Sequence, residues 1–215
     1  MSDIEHYVKK GTTTVGIVCK EGIVLAADKR ATAAGRVILN KDIKKVFKLN
    51  DDLAVTIAGT VSDVQLITKL IKAELELKTI RSGRKPLVKE AANLLGTIIY
   101  HNIRKFSTIP GITAFLLAGR DTEGLHLYEL GPDGSVIEHD KYMADGSGFM
   151  HALGVLDTLF KQDIALHDGI KLAVQAINAA VQRDAATGEG IDVLTVTKDG
   201  VKSVLSKKID TTITA

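Results

Sequence analysis

The sequence predicts an α+β domain in which two antiparallel sheets stack on each other and a helix pair covers the outside of each. Three observations lead there. Strand-like and helix-like segments come in blocks, in the order strands, two helices, strands, two helices, strands. Several strand-like runs are apolar at successive positions, the mark of a sheet covered on both faces. The helix-like segments carry one apolar stripe each and so need a surface to lie on. The chain has 215 residues, of which 45% are hydrophobic. That suffices for a large core, and no Pro/Gly/Ser-rich linker or repeat divides it, so one domain is expected.

Taken in order, Thr12 to Asp28 reads as a hairpin. Val15, Ile17 and Cys19 lead to a turn at Lys20-Glu21-Gly22, and Ile23 to Ala27 returns as an apolar run ending in Asp28-Lys29-Arg30. Small residues make Ala31 to Arg36 a loop. Val37-Ile38-Leu39 and the alternating Lys45 to Leu49 read as two arms of a further hairpin. Asn50-Asp51-Asp52 is a turn, and Leu53 to Gly59 is another nearly apolar strand. A helix is expected from Ser62 to Lys78, with Val64, Ile67, Ile71 and Leu75 facing the core and Thr60 or Ser62 capping its start. Gly83 and Pro86 break the chain before a second helix from Val88 to Phe106. Strands follow at Ile112–Ala118, Leu125–Leu130 and Val136–Glu138. Asp145-Gly146-Ser147-Gly148 reads as a flexible turn. It leads into a helix marked by Met150, Leu153, Leu156 and Phe160. The next helix, from Asp168 to Arg183, has Ile170, Val174, Ile177 and Val181 on one face. Thr187 to Gly190 is a loop, and Asp192–Val196 and Val201–Leu205 close the chain as strands.

Composition removes several function classes. Net charge is +2 and aromatics are 4%, so neither a basic stripe nor a base-stacking platform for nucleic acid is expected. Cys19 is the single cysteine. It rules out an internal disulfide and fits a reducing compartment, with a small buried hydrophobe as its plainest role. No apolar run reaches a membrane span, and the polar leader Met1 to Lys10 has no apolar core of the secretory kind. The six histidines form no ligand pair at short spacing, so no metal or other cofactor is expected. No Gly-rich phosphate loop of the lysine type occurs, so any ATP dependence belongs to a partner.

Gly11-Thr12-Thr13-Thr14-Val15-Gly16 supports two readings. One is a strand start, which β-branched threonines suit. The other is cleavage between Gly11 and Thr12, which would put a hydroxyl and a free α-amino group on one residue. The hydroxyl needs a base to become a nucleophile. An α-amino group titrating near ~8 can be that base. With the leader attached, the Thr12 nitrogen is an amide and cannot serve.

From Gly11 to about Leu205 the chain resembles β-type subunits of the 20S proteasome, archaeal ones above all, which are N-terminal nucleophile hydrolases. The resemblance rests on Gly11 to Gly16, Leu25-Ala26-Ala27-Asp28-Lys29-Arg30-Ala31-Thr32, Lys44-Lys45-Val46-Phe47, Ile57-Ala58-Gly59, Gly146-Ser147-Gly148 and Gln182 to Gly188. It implies a four-layer αββα sandwich and a propeptide, residues 1–11, removed from a catalytic domain of residues 12–215. The implied activity is that of a threonine endopeptidase degrading unfolded polypeptides in the cytoplasm. The implied partners are other β-type subunits in a ring of seven, α-type subunits in capping rings, and an ATP-dependent unfoldase.

Carried over by the same resemblance, Thr12 is the nucleophile and Asp28 and Lys45 are the acid and base beside it. A cation there disfavours a protonated amine and favours an alkoxide, and a carboxylate keeps that cation in place. Lys44 is the competing position, because the loop Ala33-Ala34-Gly35 is one residue longer than usual in the family. Anchoring on Val46-Phe47 selects Lys45. Ser147, Asp184 and Thr187 match residues that position the amine and a water, with Thr187 standing where the family usually has Ser. Gly59 matches the oxyanion-hole donor, although glycine also serves a strand-to-helix turn. Ala31, Ile43, Phe47, Ile57 and Val61 match pocket walls, and being apolar they predict a preference for large hydrophobic residues before the scissile bond. Thr32 and Val61 match residues that pair backbone to backbone with an extended substrate. Thr13 and Thr14 are expected to serve the strand. A β-type subunit that is never processed, and only builds a ring, is the alternative, and the intact Gly11-Thr12, Asp28 and Lys45 set argues against it. The bacterial two-ring relative is disfavoured by Gln182-Arg183-Asp184.

Overall fold

The structure is a computed structural model that describes residues 11–33, 37–108 and 110–209. The leader 1–10, residues 34–36 of the expected loop and the tail 210–215 lie outside the described residues.

Two five-stranded antiparallel sheets form the body. The first has the order β10-β1-β2-β11-β12, built from β1 (Thr13–Cys19), β2 (Gly22–Asp28), β10 (Tyr142–Gly146), β11 (Gly190–Thr197) and β12 (Gly200–Lys208). The second has the order β5-β6-β7-β8-β9, built from β5 (Val46–Lys48), β6 (Leu53–Gly59), β7 (Thr113–Arg120), β8 (Leu125–Leu130) and β9 (Val136–His139). Helices α1 (Val61–Ser82) and α2 (Val88–Arg104) cover the second sheet; α3 (Phe149–Leu159) and α4 (Leu166–Arg183) cover the first.

Each of the three interfaces between layers has its own apolar core, and the period-2 geometry of strands explains how. In β2, Val24 and Ala26 point to α3 and α4, while Ile23, Leu25 and Ala27 point between the sheets. In β7, Phe115 and Leu117 point to α1 and α2, while Leu116 and Ala118 point between the sheets. This is why these runs are apolar at every position. Burying one such large aliphatic side chain contributes about 1.5–3 kcal/mol.

The structure departs from the sequence expectation at several elements. Ala31–Ala33 is not loop but a short strand, β3. It pairs with β4 (Val37–Asn40) in a separate two-stranded sheet, with Thr32 opposite Ile38. The expected pairing of Val37–Leu39 with Lys45–Leu49 does not form, because β5 pairs with β6 instead. The segment Tyr142–Gly146 forms β10, which was missed because Tyr-Met-Ala-Asp-Gly has only one strand-favouring residue. Asp145 and Gly146 therefore belong to a strand, held by pairing with Thr14 and Thr13.

Helix α1 has the expected buried stripe but runs on to Ser82. It ends where Gly83, at φ 66°, donates its N–H to the Thr79 carbonyl at 3.0 Å. Neither Thr60 nor Ser62 caps its start through a side chain; the Ser62 hydroxyl turns to Asp63. Helix α2 stops at Arg104, which leaves Phe106 fully exposed. Met150 is also exposed, while Ala152 and Leu156 bury α3. In α4 the deepest stripe is Gly169, Leu172, Ala173, Ala176, Ile177 and Ala180, with Ile170, Val174 and Val181 flanking it. Small residues let that helix lie close on β1 and β2, which a count of large apolar residues overlooks.

Candidate functional site

One end of the sandwich gathers the starts and ends of many elements. Thr12 precedes β1, Asp28 ends β2, Lys45 precedes β5 and Gly59 ends β6. Ser147 follows β10, and Asp184 and Thr187 lie between α4 and β11.

Asp28 is fully buried at the end of a strand that is buried throughout. Its Oδ1 accepts from the Lys45 ammonium at 2.7 Å and the Thr13 N–H at 3.0 Å. Its Oδ2 accepts from the Arg30 and Gly188 N–H groups, each at 3.0 Å. The carboxylate is thus surrounded by donors, as a buried charge must be. The Lys45 side chain is 4% exposed. Burial pushes its ammonium below the ordinary lysine range, against the opposing pull of the Asp28 charge. Lys44, its neighbour, is exposed and stands 6.0 Å from the Phe47 ring centre.

The same ammonium donates to the Gly11 carbonyl oxygen at 3.2 Å. The Thr12 hydroxyl also contacts that oxygen. Gly11 has no room for a side chain, since a Cβ there would collide with the Ala186 carbonyl and meet the Thr32 hydroxyl at 2.6 Å.

On the other side, the Thr12 N–H donates to the Ser147 hydroxyl at 3.3 Å, and Ser147 donates to Asp184 Oδ2. Thr187 donates to the same oxygen at 2.6 Å. Each hydroxyl has one proton, so Thr187 can only accept from the next hydroxyl, that of Thr13, at 2.7 Å. Thr13 therefore belongs to the site as well as to the strand. Sequence reasoning also missed Arg30 and Gly188. The Arg30 guanidinium donates to the Ala185 carbonyl at 2.7 Å and Glu189 at 3.1 Å, holding the turn after α4 across Gly188.

A cavity of about 280 Å³ opens beside Thr12. Ala31, Thr32, Ile43, Phe47, Ile57 and Val61 all line it, together with Gly11, Lys45 and Gly59. Lys44, Thr60, Val64 and Gln65 complete the wall; Thr60 directly follows Gly59, and Val64 and Gln65 lie one α1 turn further on, a spacing that helical periodicity could have supplied. Gly59 adopts φ 143°, open to glycine and strained for other residues. None of the described helices is long and apolar enough to cross a membrane.

Comparisons with known proteins point the same way. A family model described as proteasome subunit matches residues 8–196. The proteasome subunit beta of Archaeoglobus fulgidus is 42% identical over 199 residues, covering 93% of this chain and 91% of the relative. That of Methanocaldococcus jannaschii is 41% identical over 204 residues, covering 94% and 89%. The proteasome subunit beta 1 of Thermococcus onnurineus is 43% identical over 201 residues, covering 94% and 96%. With a match over most of its length, this chain belongs to the proteasome subunit family, among relatives of the beta type.

Proposed function

We propose that the chain is a threonine endopeptidase of the proteasome core that cleaves its own Gly11–Thr12 bond and then hydrolyses other polypeptides. The observation that carries this is the Gly11 carbonyl oxygen, contacted at once by the Thr12 hydroxyl and by the Lys45 ammonium that Asp28 holds. Burial disfavours the Lys45 ammonium, and in this reading Lys45 in its neutral form takes the Thr12 hydroxyl proton. The freed oxygen attacks the Gly11 carbonyl carbon, and negative charge moves to the Gly11 oxygen. Having gained a proton, Lys45 now stands beside that oxyanion as a cation. Collapse breaks the bond to the Thr12 nitrogen, which takes up a proton, and leaves Gly11 as an ester on the Thr12 oxygen. Water hydrolyses the ester and frees a Thr12 that carries both hydroxyl and amine. The residues Ser147, Asp184 and Thr187 hold that amine, and the Gly59 N–H serves the oxyanion of a bound substrate.

The apolar part of the cavity wall, Ala31, Ile43, Phe47, Ile57, Val61 and Val64, supports a preference for large hydrophobic residues before the scissile bond. Membership of the family carries assembly with other subunits. We infer rings of seven β-type copies stacked between α-type rings, fed by an ATP-dependent unfoldase in the cytoplasm.

Intact-mass measurement after co-expression with an α-type subunit tests the reading. The wild-type chain should lose residues 1–11, and Thr12→Ala should keep them while still assembling. Lys45→Ala should block cleavage and Lys44→Ala should not. A wild-type chain that keeps Met1 or Ser2 and shows no peptidase activity would make it a purely structural ring subunit.

A further inference from the structure

The segment 41–45 between β4 and β5 has no regular secondary structure, yet it carries both Lys45 and the cavity residue Ile43. Its contacts to the rest of the fold are specific. The Ile43 N–H donates to the Lys29 carbonyl at 3.0 Å, and the Lys45 carbonyl accepts from the Ile57 N–H at 2.9 Å. Asp42 makes two ion pairs, Oδ1 with Lys29 at 3.3 Å and Oδ2 with Lys208 at 2.5 Å.

Lys29 follows Asp28 directly and stands in a charged trio that surface chemistry alone could explain. It is nevertheless buried, with its side chain 6% exposed. Its ammonium meets Asp192 Oδ1 on β11 at 2.7 Å, and its N–H donates to the Gly188 carbonyl at 3.0 Å. One carboxylate, Asp192, already gives the buried ammonium a partner. The second carboxylate, Asp42, sits on the irregular segment, and its bond to Lys29 ties that segment to β2 and β11. Burial works against the Lys29 ammonium, but Asp192 and Asp42 outweigh it and hold it above the ordinary lysine range. Asp42 is held low by the Lys208 hydrogen bond first and by Lys29 after it. Both partners therefore stay charged through neutral pH.

We propose that Lys29, acting through Asp42, is a positioning residue for Lys45. Two neighbouring residues at the end of β2 then fix one lysine from both ends. Asp28 holds its ammonium, while Lys29 holds the backbone three residues upstream. This rests on the reading of Lys45 given under Proposed function.

Asp42→Asn in the full chain tests it, because it removes the ion pair from the segment side and leaves Lys29 paired with Asp192. Self-cleavage at Gly11–Thr12 should slow about ten- to a hundredfold, the scale of a small misplacement of a reacting group. The acid-side midpoint of its pH–rate profile should shift as the Lys45–Asp28 geometry relaxes. Asp42→Glu should restore much of the rate. Lys208→Met removes only the exposed arm and should stay within about twofold of wild type. Amide exchange at Ile43 should accelerate in Asp42→Asn, whether or not the chain cleaves itself. A wild-type rate in Asp42→Asn would overturn the proposal, and so would a rate lost only in step with unfolding, with the pH midpoint unmoved. Should wild type not cleave at all, the reading of Lys45 fails separately. The tie itself is then judged by Ile43 exchange, and unchanged exchange in Asp42→Asn defeats it.

Discussion

Asp28→Asn is the substitution for which the geometry sets both the direction and the size of the effect. The carboxylate accepts four hydrogen bonds, two on each oxygen, with no exposure to solvent. An asparagine has one acceptor oxygen and one NH₂ group, and neither orientation fits. With the NH₂ toward Oδ2's partners, it faces the Arg30 and Gly188 N–H groups. With the NH₂ toward Oδ1's partners, it faces the Thr13 N–H and the Lys45 ammonium. Two buried donors lose their acceptor in either case, at about 1–3 kcal/mol each. The lysine also loses its counter-charge, so breaking this buried pair should cost about 3–5 kcal/mol in all. For a chain of this size that corresponds to a fall in Tm of about 6–20 °C. The Lys45 ammonium, already depressed by burial, should fall further, which favours the neutral base. Without Asp28, however, the amine loses its fixed position beside the Gly11 carbonyl, and that loss should dominate and slow self-cleavage about a hundredfold or more. Differential scanning calorimetry of the uncut chain and an intact-mass time course read the two effects. Asp28→Asn with an unchanged Tm and wild-type cleavage would refute the reasoning, since it would mean that Asp28 does not bear the four donors.

Three further outcomes follow from other contacts. Gly11→Ala places a Cβ against the fixed Ala186 backbone and should push the scissile carbonyl away from Lys45, slowing self-cleavage about ten- to a hundredfold; a wild-type intact-mass time course would contradict this. Cys19 is buried, and burial followed by the Glu21 charge pushes its thiol up to about 12, so iodoacetamide at about pH 8 should label it only after denaturation. Glu90 caps α2 through the Leu87 N–H at 2.9 Å and binds Arg84 through both oxygens. The Arg84 hydrogen bonds first, then that N–H, lower its carboxyl from 4.5 to about 2. Its folded value lies below its unfolded one, so its stabilisation is full above about pH 4.5 and fades as pH falls toward about 2. Glu90→Gln should lower neutral-pH stability by about 1 kcal/mol and flatten that acid decline in urea titrations.

The fold was legible where side-chain periodicity reports burial. Leu53–Gly59 and Gly22–Asp28 read as two-sided strands because alternate residues enter different cores. Tyr142–Gly146 was illegible because its strand character comes from pairing with β1, and propensity carries no record of a partner more than a hundred residues away. The β3–β4 pairing was hidden for a related reason: alanines at 31 and 33 are small enough to read as loop. Residues later brought to the site could be named from motif resemblance. The route of the hydrogen bonds could not. That Thr13 reaches Thr187, or that Arg30 spans Gly188, depends on where α4 ends relative to β1, a tertiary fact with no local signature. Which of Lys44 and Lys45 reaches Asp28 depends on strand register: with Val46 paired to Thr56 it is Lys45 that meets the carboxylate.

The place of β1 in its sheet has a mechanical consequence. Chain ends ordinarily fray, but β1 is bonded on both sides, to β10 and to β2, with Thr13 opposite Gly146 and Thr14 opposite Ala27. A chain that began at Thr12 would start one residue before the interior of a five-stranded sheet. Its first residue would inherit the stiffness of that sheet rather than the looseness of a terminus. The disorder that would otherwise have to be frozen out at each turnover is removed once, when the sheet forms, so local softening of β10 should blunt the reactive end before it unfolds anything else.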